Sequence, residues 1–223
     1  MIIVFDLDDV LYEEKSFYHS GIDAIVNFIS NEYNIPKNKI LMFLKNRNKE
    51  NRKKIIDDML INFNIYSKSR VRKCLSIYRM HFPKIKISAD AIYCLKNLKK
   101  NTCYIVTDGN KLVQLNKIKA LGLEKFMKKC FLTSNYGLKN AKPSPYCFLK
   151  ICNIENVEPK EVVYVGDDPN KDFVGIKPLG FQTVRLLKGR YKNLIKPKKY
   201  QSDIVINSLR ELNLKLLKEF EIR

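Results

Sequence analysis

The sequence predicts an α/β fold, a parallel sheet covered by helices on both faces and interrupted after its first strand by an all-helical insert. Three observations point there. The run IIVF reads as a buried strand and is closed by Asp6, Asp8 and Asp9; the periodicity from about Ser16 to Lys86 is helical only; and after Ser88 apolar strands alternate with helices. Strands separated by helices of that length need crossover connections, which are right-handed and give parallel pairing.

The elements follow in order. Ile2 to Phe5 is the continuous apolar run of a strand buried on both faces. Apolar stripes at spacings of three and four come next: Tyr18, Ile22, Ile25 and Ile29; Ile56, Met59, Leu60 and Phe63; Val71, Cys74, Leu75 and Tyr78. Pro36, Pro83 and the polar stretch Asn46 to Asn51 punctuate these amphipathic helices. Beyond Ser88, Ala91, Ile92, Leu95 and Leu98 share a helical face before the strand in TCYIVTDG. A helix with Leu112, Leu115, Ile118 and Leu121 inward, a strand at CFLTS, a helix through PYCFLKIC and a strand in EVVYVGDD continue the alternation. A helix from about Asn170 to Ile176 leads to the strand FQTVRLL, and DIVI precedes a terminal helix from Leu209 to Phe220. The acid-free stretch Lys188 to Gln201 reads as a solvated loop. The expected domains are a Rossmann-like core, residues 1–14 and 87–223, and a helical cap, residues 15–86.

Composition narrows the class. No run approaches the roughly 18 to 20 apolar residues that would span a bilayer, and no basic segment precedes the first strand, so neither a membrane span nor a signal peptide is expected. The six cysteines, Cys74, Cys94, Cys103, Cys130, Cys147 and Cys152, show no C-x-x-C spacing and read as reduced core thiols of a cytoplasmic protein. The net charge of +19 fits polyanion binding, but lysine is abundant everywhere, and the preferred reading is a solvated basic surface with nucleic acid as the lesser alternative. In the insert, Lys45, Arg47, Lys49, Arg52, Lys53, Lys54, Lys68, Arg70, Arg72, Lys73 and Arg79 face only Glu50, Asp57 and Asp58. These read as a solvated helix face or as a surface attracting an anionic substrate. Tyr12, Phe17 and Tyr18 are candidates to line the mouth of a site.

Three strands end in groups suited to phosphate or metal chemistry: Asp6 and Asp8; Thr107, Asp108 and Gly109; Gly166, Asp167 and Asp168. Parallel topology brings these ends to one edge, where converging carboxylates call for a divalent cation. Asp6 and Asp8 are two apart and share a face while the strand persists, so one can attack phosphorus while the other handles the leaving-group proton. Oxygen ligands from Asp6 and Asp167 suit Mg2+; Thr107 and the amides of Asp108 and Gly109 supply fixed donors; Lys142 in AKPSP adds positive charge.

FDLDDVLY resembles the first motif of the haloacid dehalogenase-like hydrolase superfamily, IVTDG the second, AKPSP the third and VGDDPNKD the fourth, in the family's order and over essentially the whole chain. The resemblance implies a magnesium-dependent phosphatase with a helical cap after the first strand, acting on a small phosphorylated metabolite such as a sugar phosphate or nucleotide monophosphate. It makes Asp6 the nucleophile that carries an aspartyl-phosphate, Asp8 the general acid/base, Thr107 a phosphoryl hydrogen-bond donor and Lys142 the charge balance. It assigns the metal to Asp6, Asp167 and the carbonyl of Asp8, with Asp168 and Asp172 in support. A dehalogenase would not require Asp8; a phosphomutase keeps all four motifs and stays open, as does action on nucleic-acid ends. Three departures stand out: Asp9 replaces the common glycine of the first motif, Asp108 stands where asparagine is frequent, and Pro178 shortens the helix after the fourth.

Overall fold

A computed structural model describes residues 1–47 and 54–221. Lys49, Glu50, Arg52 and Lys53, and most of the expected break at Asn46 to Asn51, lie outside the described residues. The chain divides into two compact units, residues 1–14 with 85–223 and residues 15–84.

In the first unit, strands β1 (Ile2–Phe5), β2 (Thr102–Thr107), β3 (Lys129–Leu132), β4 (Val162–Gly166), β5 (Gln182–Leu186) and β6 (Ile204–Ile206) form one sheet, ordered β3-β2-β1-β4-β5-β6. Every pairing is parallel. The order reverses at β1, and the crevice beyond the carboxyl ends at such a reversal is where open α/β sheets place ligands. All four β1 residues are buried, which requires cover on both faces and accounts for the unbroken apolar run. Phe5 is level with Ile105 on one side and Val165 on the other, so Thr107 and Asp167 stand one step beyond Asp6 on the flanking strands. Val4, Tyr104, Phe131, Phe148, Tyr164 and Phe181 belong to the core that holds this register.

The core helices are α5 (Ala89–Asn97), α6 (Lys111–Ala120), α7 (Tyr146–Glu155) and α8 (Leu214–Glu221). Ser88 caps α5 by accepting the Ala91 N–H at 3.1 Å, and Asn110 caps α6 by accepting from Leu112 at 3.1 Å and Val113 at 3.3 Å. Near the start of α5, Asp90 binds Arg210 Nε at 2.9 Å, Ser208 Oγ at 2.8 Å and Lys188 Nζ at 3.3 Å.

Three expectations need correction. The inward face of α6 is Gln114, Lys117 and Ile118, while Leu112 is 43% exposed, because Asp8 and Thr107 offer the polar side chains buried partners. No α-helix forms over Asn170 to Ile176; the stretch is a series of turns ending in a 3-10 turn at Lys177–Leu179. There the Asp172 carboxylate accepts the N–H groups of Asp167 and Asp168, and Gly175 packs against the Pro143 carbonyl so closely that a Cβ would collide with it. The expected terminal helix is likewise split, a 3-10 turn at Leu209–Glu211 preceding α8.

The second unit holds α2 (Lys37–Asn46), α3 (Ile55–Asn62), α4 (Lys68–Met80) and most of α1 (Glu14–Tyr33). Their stripes meet in a separate core containing Ile25, Ile29, Ile40, Met59, Leu60 and Cys74, with Leu75 left at its exposed margin. Ser67 caps α4 through the Arg70 N–H at 3.2 Å. Several basic side chains serve this unit: Arg47 pairs with Asp58 at 2.8 Å, and Arg70 lies over the Tyr33 ring while donating to the Ile65 carbonyl. Among the described residues no helix is long and apolar enough to cross a membrane.

Candidate active site

Asp6 follows β1 directly and is buried, with its N–H donated to the Val165 carbonyl at 2.9 Å. Its Oδ1 accepts the Leu7 N–H at 2.8 Å, and its Oδ2 lies 2.9 Å from Lys142 Nζ. Lys142 also reaches Asp172 Oδ1 at 2.8 Å and Tyr164 Oη at 2.8 Å, all in the interior. Burial opposes the ammonium charge, but Asp172 and Asp6 hold the Lys142 pKa well above its ordinary value. Burial pushes the Asp6 carboxyl up to about 6, against the pull of Lys142. Removing one member of a buried pair of this kind costs about 3 to 5 kcal/mol, because the other charge stays behind.

Asp172 also organises the turn after β4: its Oδ2 accepts the Asp167 N–H at 3.1 Å and the Asp168 N–H at 2.8 Å. Burial, with the charges of Asp6 and Asp172, pushes the Asp167 carboxyl up to about 9. Carboxylate oxygens of Asp6, Asp167 and Asp172 lie within 4.8 Å of one another. Those of Asp172 already take the two amides, Lys142 and the Tyr164 hydroxyl, whereas Asp167 has no such set of donors among the described residues. An oxygen-only site where close carboxylates resist ionising together fits a hard divalent cation such as magnesium. Asp168 accepts from the Asn170 amide and side chain at 3.0 and 2.7 Å, which anchors the same turn.

A second group forms around Asp8. Lys117 Nζ lies 2.7 Å from its Oδ1, the Tyr12 hydroxyl donates to the same oxygen, and Gln114 Nε2 donates to Oδ2 at 3.1 Å. Burial works to raise the Asp8 pKa, but Lys117 and these hydrogen bonds hold it below the usual carboxylate range. Gln114 Nε2 also donates to Thr107 Oγ1 at 2.6 Å, which leaves the threonine proton free to point elsewhere.

The acid at position 108 has defined contacts. Asp108 Oδ1 accepts from Thr133 Oγ1 at 2.8 Å and from the Lys142 N–H at 3.1 Å, while Oδ2 pairs with Lys171 at 3.1 Å. It thereby links the ends of β2 and β3 to the AKPSP loop. Asp9, at φ 55, occupies the left-handed conformation that glycine adopts without penalty and aspartate tolerates. Its carboxylate accepts the Glu14 N–H at 2.9 Å. Tyr12, expected at the mouth of a site, is instead buried behind Asp8.

A pocket of about 270 Å³ opens over this edge, with Asp6, Asp8, Thr107, Asp108, Gly109 and Asp167 among its walls. Asp168, Lys171, Arg190 and Tyr191 complete another side. Lys142, which is not among the walls, contacts both Asp6 and Asp172. Sequence reasoning missed Gln114, Lys117, Lys171 and Arg190. The i, i+3 spacing of Gln114 and Lys117 directly after the second motif was the available signal.

The profile of the haloacid dehalogenase-like hydrolase family matches residues 1–180. The chain is 30% identical to the glyceraldehyde 3-phosphate phosphatase of Methanocaldococcus jannaschii over 94% of each chain. It is also 30% identical to the enzyme of that name from Pyrococcus furiosus, over 95% of this chain and 90% of the relative. Among solved structures, a haloacid dehalogenase-superfamily hydrolase of Bacillus subtilis bound to magnesium superimposes with a TM-score of 0.64 at 18% identity, covering 97% of both chains. A sheet reversing at β1, three motifs lining one pocket with Lys142 of the other in contact with Asp6, and these likenesses agree: the chain belongs to the haloacid dehalogenase-like hydrolase family.

Proposed function

We propose that the protein is a magnesium-dependent phosphatase acting on a small sugar phosphate through an aspartyl-phosphate on Asp6, with its helical unit serving as a cap. The observation that carries this reading is the buried contact of Asp6 with Lys142 beside the Asp8 cluster, a nucleophile and a proton carrier whose surroundings differ. The curated relatives, named glyceraldehyde 3-phosphate phosphatases, make that ester the first substrate to test.

In the first half-reaction an Asp6 carboxylate oxygen attacks phosphorus, the bond to the ester oxygen breaks, and Asp8, an ionised carboxylate that first takes up a proton from solvent, passes that proton to the leaving oxygen. In the second, Asp8 takes a proton from the water that attacks the aspartyl-phosphate, releasing phosphate and restoring Asp6. Thr107, whose hydroxyl oxygen is occupied by Gln114, turns its proton to a phosphoryl oxygen, and the amides of Asp108 and Gly109 add donors. Lys142 balances charge on Asp6 and the phosphoryl group while Asp172 fixes its position. Magnesium, held by Asp6, Asp167 and the Asp8 carbonyl, with Asp172 and Asp168 bracing the turn, would neutralise charge on the transferring group.

The test is release of inorganic phosphate from glyceraldehyde 3-phosphate with and without magnesium, for wild type and Asp6→Asn. Release should need the metal and fall by about a thousandfold or more in the variant. Equal release by both proteins removes Asp6 as nucleophile, and phosphoryl transfer within the sugar without free phosphate identifies a phosphomutase.

A further inference from the structure

The stretch around Arg190, read from sequence as a solvated loop, is held from two sides. The Asp9 carboxylate, which accepts the Glu14 N–H at 2.9 Å, lies directly against this stretch at Gly189. Gly189, at φ 64, sits so close to the same carboxylate that a Cβ would overlap it. From the sheet, the buried side chain of Arg185 donates through Nη2 to the carbonyls of Tyr191 at 2.7 Å and Leu194 at 2.9 Å. A carboxylate on the turn after β1 and a guanidinium on β5 therefore fix the backbone on either side of Arg190. Ordering a loop in this way carries an entropy cost, so the side chain it presents is the natural place to seek its purpose.

Arg190 is exposed, its guanidinium lies 4.7 Å from the centre of the Tyr191 ring, and both residues line the pocket that holds Asp6 and Asp167. The lysines of the site are committed: Lys142 to Asp6 and Asp172, Lys117 to Asp8, Lys171 to Asp108. Among the described residues lining the pocket, Arg190 is the cation without a carboxylate at ion-pair distance. Its hydrogen bond to the Tyr191 hydroxyl uses one of five donors, and the planar fork left over suits a carbonyl or carboxylate.

We infer that Arg190 is a specificity-determining residue that binds a carbonyl or carboxylate group of a short phosphorylated substrate, and that Asp9 and Arg185 are positioning residues for its loop. The inference rests on the phosphatase reading and adds to it the chemical class of the leaving group: a short chain with an oxygen-rich far end, in preference to an apolar or aromatic alcohol. It also gives Asp9 a function glycine would lack, since the turn alone needs only the backbone conformation, whereas the contact with Gly189 needs the carboxylate.

The experiment measures kcat and KM of the full chain, saturated with magnesium, on glyceraldehyde 3-phosphate, 3-phosphoglycerate and 4-nitrophenyl phosphate. In Arg190→Met, the kcat/KM of the preferred three-carbon ester relative to that of the aryl ester should fall by about tenfold or more, chiefly through KM. The three-carbon ester with the larger loss identifies the carbonyl or the carboxylate as the group bound. Arg190→Lys should recover part of the ratio, and Gly189→Ala, with folding checked by circular dichroism, should shift it in the same direction as Arg190→Met. An unchanged ratio, or equal losses on all three esters, overturns the inference. Wild-type turnover of the aryl ester alone also overturns it and leaves the phosphatase reading standing, whereas no turnover of any ester overturns both.

Discussion

Lys117, on the helix after the second motif, places its ammonium 2.7 Å from Asp8 although both Lys117 and its neighbour Gln114 are buried. A lysine turned inward to meet the proposed proton carrier, with a glutamine bridging that carboxylate to Thr107, ties the orientation of two site residues to one helix face.

Lys117→Met keeps most of the apolar stem of the side chain and removes the charge. Asp8 then retains Tyr12 on its first oxygen and Gln114 on its second but loses its charged partner. The expected result is a fall in kcat of about tenfold to a hundredfold with KM changed little, since the defect lies in proton handling and not in binding. Steady-state kinetics on the best substrate measure it. A KM effect with kcat intact would place Lys117 in substrate binding instead.

Gly175→Ala tests the contact between the turn after β4 and the AKPSP loop. The added methyl meets the backbone carbonyl of Pro143, which is no flexible side-chain tip, so the two loops must part. The loss in stability should be about 1 to 3 kcal/mol by urea denaturation. Because Lys142 precedes Pro143, kcat should fall as well. Gly180→Ala is the control: nothing lies within 4 Å of its Cβ, and only the left-handed backbone at φ 91 resists the change. It should lower stability by about 1 kcal/mol and leave kcat intact.

Asp90 carries a pH-dependent share of stability. Hydrogen bonds from Arg210 and Ser208, then Lys188, hold its carboxyl at about 2, below the unfolded value of roughly 3.9. A depressed folded pKa contributes stability that is full above the unfolded pKa and lost as pH falls toward the folded one. Allowing for partial exposure, wild type should exceed Asp90→Asn by roughly 1 kcal/mol at pH 7, and the gap should close between about pH 4 and pH 2. Chemical denaturation at several pH values checks the sign. A gap that widens on acidification would refute the assignment.

The strands and their acidic ends were legible because both signals are local: IIVF must be buried on two faces, and carboxylates directly after such a run have only the sheet edge to occupy. Three of the helices over residues 15–84 were legible for the same reason, their inner faces announced by spacing, whereas the helix at Lys37–Asn46 was not read from its sequence. The polar side of α6 was not. Gln114 and Lys117 look like solvent-facing residues until the parallel register brings Asp8 and Thr107 opposite them, and that register depends on strands far apart in the chain. In place of the helix expected after VGDD there are turns, braced by the Asp172 side chain that accepts the N–H groups of Asp167 and Asp168, a side-chain contact that no apolar spacing announces. Asp108, a doubtful substitution in sequence, is accounted for by three donors from three different loops.

The placement of β1 bears on how the protein is made. The strand bearing Asp6 pairs with residues 102–105 on one side and 162–165 on the other, so it precedes both neighbours in the chain. Until those segments exist, Ile2 to Phe5 is an unpaired apolar edge, the kind of surface that invites aggregation and chaperone binding during synthesis. Lys142 and Asp172, the buried partners that govern Asp6, also arrive late in the chain. A fragment ending before the fourth motif thus has Asp6, the proposed nucleophile, in its sequence but lacks Asp172 and the turn around it, and recovery of turnover during refolding would report the closing of the whole sheet.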